Sequence, residues 1–146
     1  MIPAFTKEGY LPPGIYEISL DELEERFAYT IWRKELFENL VRLIDGLKNI
    51  GCTAIYVDGS FTTITRLPKD IDVCWEDTGI DYDMAEGIMP ILFDFANKRA
   101  NQQLQYKCDI FPAHFIADNN GTLYLDFFQN DKATNNPKGI IKINIL

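Results

Sequence analysis

Two short apolar runs, each tied to charged or flexible residues at fixed spacing, constrain this chain most. Ala54-Ile55-Tyr56-Val57 leads into Asp58-Gly59-Ser60. Nine residues, Phe61 to Lys69, then separate Ser60 from Asp70-Ile71-Asp72, which opens the second run, Val73-Cys74-Trp75. Compact runs rich in β-branched and aromatic residues read as buried strands. Strand side chains alternate faces, so Asp70 and Asp72 project from one face and Ile71 from the other. Two carboxylates held side by side repel, and the pKa of one rises unless a cation joins them. A hard divalent ion such as Mg²⁺ or Mn²⁺, which takes oxygen ligands, answers that repulsion.

The remaining elements follow from caps and periodicity. Ser19-x-x-Glu22 is a capping box opening a helix to about Ala28. Leu36, Leu40, Leu43 and Leu47 share one face of a second helix, Ile31 to Asn49, stopped near Gly51. Asp83-x-x-Glu86 reads as another capping box, with Ile88, Leu92 and Phe95 on one face; Pro90 kinks or restarts that helix. Tyr106 to Phe111 reads as a third strand and Ile140 to Ile145 as a last one. Phe61 to Lys69 is short helix or loop, and Thr122 to Gln129 is helix or strand. Residues 1–18 read as irregular, because two prolines and two glycines interrupt Phe5 to Gly14. The order predicts one α/β (α+β) domain over residues 1–146, a mixed sheet flanked by helices.

The Gly-Ser turn and the Asp-x-Asp strand resemble the signature of the polymerase-β-type nucleotidyltransferase superfamily, over about Leu36 to Ile110. Ile2-Pro3, Leu11-Pro12-Pro13-Gly14 and the closing Phe127-Phe128…Gly139-Ile140 also resemble a family of short bacterial and phage proteins that is itself regarded as nucleotidyltransferase-like. The resemblance implies a nucleotidyltransferase-like fold and a third carboxylate on a later strand, a position that Asp109 fits. It implies that Asp70, Asp72 and Asp109 hold Mg²⁺ (or Mn²⁺) and carry catalysis in a two-metal scheme. Gly59 and Ser60 would meet the phosphates of a nucleoside triphosphate, with Arg66 or Lys69 from the intervening loop. Asp58 departs from the pattern, which commonly has an apolar residue there.

The function implied is transfer of a nucleotide to a protein, RNA or small-molecule hydroxyl, with release of pyrophosphate. A second reading is an antitoxin-like or defence-associated protein that keeps the fold, pairs with a toxin or other protein, and binds nucleotide without catalysis. There is no Walker-type phosphate loop, and a single histidine, His114, excludes phosphodiesterase designs built on several. Net charge −8 argues against non-specific nucleic-acid binding. No apolar run nears the roughly 18 residues of a membrane span. No signal peptide is evident at Met1-Ile2-Pro3. Three widely spaced cysteines suit buried thiols in a reducing cytoplasm. Trp75 reads as core packing, and the acidic cluster Glu76-Asp77…Asp81…Asp83 as the start of a helix.

Overall fold

The structure, a computed structural model, is described for residues 2–146. Strands β1 (Ile15–Glu17), β2 (Ala54–Asp58), β3 (Ile71–Trp75), β4 (Cys108–Pro112) and β5 (Ile140–Asn144) form one sheet in the order β1-β5-β2-β3-β4. The β1–β5 and β3–β4 pairs are parallel, while β5–β2 and β2–β3 are antiparallel. The fold is therefore α+β on a mixed sheet, as the element order implies.

Helices α1 (Leu20–Phe27) and α2 (Ile31–Asn49) begin where their caps dictate. Ser19 and Glu22 form the reciprocal capping box, and the Thr30 side chain accepts from the Arg33 amide. Leu36, Leu40, Leu43 and Leu47 of α2 are fully buried against Ile55, Val57, Ile71, Val73, Ile110, Ile141 and Ile143. These strand residues occupy one phase of the alternation, so one face of the sheet carries the main core. The opposite phase carries a smaller cluster, Tyr56, Cys74, Phe111 and Ile140, capped by Phe128 next to helix α5 (Tyr124–Phe127).

Several segments differ from the expectations. The N-terminal stretch contains β1, which reaches its partner only through residues 140–142 and has no local signal of its own. Helix α3 (Tyr82–Ile88) is capped by Asp81, whose side chain accepts from the Met84 amide, and not by a box at Asp83. Pro90 restarts the chain as a short 3₁₀ turn, Pro90–Phe93. Helix α4 (Ala96–Tyr106) then takes up residues that the third strand was expected to begin with, and β4 starts at Cys108. Within residues 122–129, Tyr124–Phe127 forms the short helix α5, and Leu123 before it makes an isolated β-bridge to Ile116.

Arg33 is fully buried, and both terminal nitrogens of its guanidinium are spent on backbone oxygens, while Nε has no partner. Nη1 donates to Phe27 O (3.1 Å) and Phe61 O (2.6 Å), and Nη2 to Thr63 O (3.0 Å) and Thr65 O (2.6 Å). A buried cation is costly unless it is fully hydrogen-bonded, and here its donors fix the loop after the Gly-Ser turn. Arg33→Met should therefore destabilise the chain by about 2–4 kcal/mol, since it strands several carbonyls. Urea unfolding measures the loss, and amide exchange should rise first at Phe61 to Thr65. Unchanged exchange there would contradict the assigned role.

Candidate active site

The strand register builds the site. Asp58 of β2 lies opposite Asp72 of β3, and Asp72 opposite Asp109 of β4. All three share the phase of Tyr56, Cys74 and Phe111, so they form one row across the less covered face. Asp70, two residues before Asp72, joins them. Ligand oxygens of Asp70, Asp72 and Asp109 lie within 4.8 Å of one another.

Beside the row is a cleft of about 330 Å³, lined by Asp58, Gly59, Ser60, Asp70, Asp72 and residues from two flanking loops. Thr63 and Thr65 come from the loop that Arg33 holds, and Lys132 and Lys138 from the segment before β5. Arg66 and Lys69 are exposed and do not line the cleft.

Gly59 has a positive φ of 82°, and a Cβ built there would stand 2.6 Å from Asp72 Oδ2. The turn must bring the backbone this close because β2 and β3 are hydrogen-bonded neighbours. The missing side chain makes room for a carboxylate as well as for a ligand. Gly59→Ala combines that clash with a backbone conformation that costs a non-glycine residue about 1–3 kcal/mol. It should lower stability by at least that much in thermal melts.

Crowding and burial set the electrostatics. Burial, reinforced by Asp58, Asp70 and Asp109, pushes the Asp72 carboxyl up to about 7. Burial also lifts Asp58 to about 6, against the pull of Lys138. Asp70 is raised by burial and by Asp109. Helix α4 supplies one amide donor and one cation. Gln103 Nε2 donates to Asp109 Oδ1 (2.6 Å) and Asp70 Oδ2 (3.0 Å), and Arg99 Nε lies 3.0 Å from Asp109 Oδ1. Arg99 ends a left-handed turn, Asn97–Arg99, with φ between 53° and 64°. Its guanidinium sits 5.1 Å from the Phe111 ring centre.

A carboxyl whose folded pKa exceeds its unfolded value binds its proton more tightly in the folded chain. Between about pH 4 and 7 the folded state then holds more protons than the unfolded one, so stability falls as pH rises. Metal-free protein should melt at a higher temperature at pH 5.5 than at pH 8. Asp72→Asn should flatten that difference and be at least as stable as the wild type at pH 8. An equally steep profile in the variant would remove Asp72 as its source.

The donor set of Asp70, Asp72 and Asp109 suits Mg²⁺ or Mn²⁺, being all oxygen and anionic; Asp58 stands outside that cluster, with Oδ2 buried and without a hydrogen-bond partner. Asp70, Asp72 and Asp109 are the residues that would hold the ion. His114 lies past the other end of β4. There its Nδ1 is 2.7 Å from Asp77 Oδ1 and 3.3 Å from Glu76 Oε2. The Asp77 carboxylate is otherwise taken by the His114 amide and the Tyr82 hydroxyl. Trp75 is fully buried with its ring edge-on to Phe93, and the three cysteines are free and buried.

Four residues around the carboxylate row lie outside the sequence motif. Asp58 departs from the motif's usual apolar residue, yet its position two residues after Tyr56, in phase with β3, marks it as facing the same way. Lys138, Arg99 and Gln103 stand in segments whose pattern carries no such signal.

Compared with known families, the chain matches the family of unknown function DUF6932 over residues 3–144 and belongs to it. No curated protein and no solved structure matches it. No helix among the described residues is long and apolar enough to cross a membrane.

Proposed function

We propose that the chain is a divalent-metal-dependent nucleotidyltransferase. It would move a nucleotide from a nucleoside triphosphate to a protein, RNA or small-molecule hydroxyl and release pyrophosphate. One observation carries the reading: the Asp70, Asp72 and Asp109 carboxylates meet within 4.8 Å beside a cleft whose wall is the Gly59–Ser60 turn. An acidic site of this kind repels a bare triphosphate and accepts one that arrives with its cation.

When bound, Mg²⁺ or Mn²⁺ supplies charge neutralisation for the triphosphate and the departing pyrophosphate. The chain's own residues do the rest. Asp70 and Asp72 would hold the ion, while Ser60 would offer its hydroxyl to a phosphate oxygen. Lys132, exposed at the cleft wall, adds a mobile positive charge. The acceptor oxygen bonds to the α-phosphorus as the bond to pyrophosphate breaks, and Asp109 accepts the acceptor's proton. Gln103 and Arg99 hold Asp109 through Oδ1 and so orient it for that role.

Incubation with each labelled nucleoside triphosphate, Mg²⁺ or Mn²⁺ and cell lysate tests the reading. Label should appear on an acceptor with matching pyrophosphate release. Asp72→Asn should reduce both about a hundredfold or more, as loss of a group that stabilises transition-state charge does. Asp109→Ala should stop transfer more completely than it weakens triphosphate binding. No transfer by the wild type with any of the four triphosphates would favour a protein-binding partner that keeps the fold.

A further inference from the structure

The cleft's basic side chains imply a charge count. Asp58, Asp72 and Asp109 form a row, with Asp70 beside Asp72. The two outer members each touch a cation. Lys138 Nζ stands 3.2 Å from Asp58 Oδ1, and Arg99 Nε stands 3.0 Å from Asp109 Oδ1. The Lys138 side chain is only 12 % exposed, so it is held in place and is not a solvated surface lysine. Among the described residues, Asp70 and Asp72 pair with no basic side chain.

Asp58 is 2 % exposed, lines the cleft, and keeps Oδ2 without a hydrogen-bond partner. A buried carboxylate oxygen left this way is costly. It is therefore an available ligand position next to Asp72. Asp131 and Lys132, which also line the cleft, offset one another, so four carboxylates facing Lys138 and Arg99 leave a deficit of two charges that one divalent ion closes. A second ion would put surplus positive charge into a partly buried cleft, where like charges are poorly screened.

We infer that Lys138 and Arg99 are permanent counter-ions of the outer carboxylates, so that the nucleotide-free cleft takes one divalent cation, centred on Asp72, and Lys138 excludes a second from Asp58. This rests on the metal reading above and narrows it, assigning Asp58 and Lys138 a part in metal stoichiometry.

Mn²⁺ titration followed by electron paramagnetic resonance, without nucleotide and at pH 8, tests it. The wild type should bind one ion per chain. Lys138→Met raises the deficit to three and frees Asp58, so it should bind a second ion more weakly than the first, with line broadening from coupling between neighbouring ions. Lys138→Gln, run in parallel as a milder change, should do the same, and Lys138→Arg should restore one. Asp58→Asn combined with Lys138→Met should also return to one. Circular dichroism checks that each variant is folded. Two ions in the wild type would overturn this inference and leave the metal reading standing. So would unchanged stoichiometry and affinity in both Lys138→Met and Lys138→Gln. No ion in the wild type would overturn both.

Discussion

Repulsion between like charges on adjacent strands governs one half of this molecule. Hydrogen bonding between β2, β3 and β4 sets Asp58, Asp72 and Asp109 side by side. Antiparallel and parallel neighbours stand about 4.8 Å apart, so the sheet itself enforces the crowding. The burial that stabilises Tyr56, Cys74 and Phe111 on the same face also strips water from the carboxylates beside them. A site of this kind holds binding free energy in reserve, because any cation that enters relieves a repulsion the fold already bears.

The segments around the row are arranged as answers to it. Gln103 bridges Asp70 and Asp109, Arg99 and Lys138 stand at the two ends, and Gly59 yields space to Asp72. Arg33 works from the other side of the loop, using a buried positive charge to hold carbonyls in place. The strain in the left-handed turn at Asn97–Arg99 belongs to the same arrangement. Three non-glycine residues keep an unfavourable backbone there, each at a cost of about 1–2 kcal/mol, and the turn delivers Arg99 to Asp109.

Features set by local chemistry were legible in the sequence. The capping box at Ser19, the leucine face of α2, the central strands and the parity of Asp70 and Asp72 all follow from spacing alone. So does the assembly of a mixed sheet. Features set by distant pairing were not. β1 is a strand only because β5 lies beside it, and α4 is polar over most of its length, with buried Gln102 anchored by the Ile110 backbone. Likewise Asp70 and Asp72 could be located by parity, while Asp109 came only from the resemblance. The row's basic neighbours come from positions 99 and 138, where only the folded chain shows what they face. Arg66 and Lys69, close in sequence to the motif, do not line the cleft.

The strand order carries a consequence for how the chain reaches this state. β5 is inserted between β1 and β2, so Ile15 pairs with Ile140 and Ala54 with Asn144. Until the ribosome has delivered residues 140–144, β2 presents an open hydrogen-bonding edge with Ile55 and Val57 uncovered by that neighbour. Non-local pairing of this kind is slow to form, and an open apolar edge is a template for wrong partners. Nascent chains therefore pass through an interval, set by translation speed, in which the half-built sheet keeps that edge open.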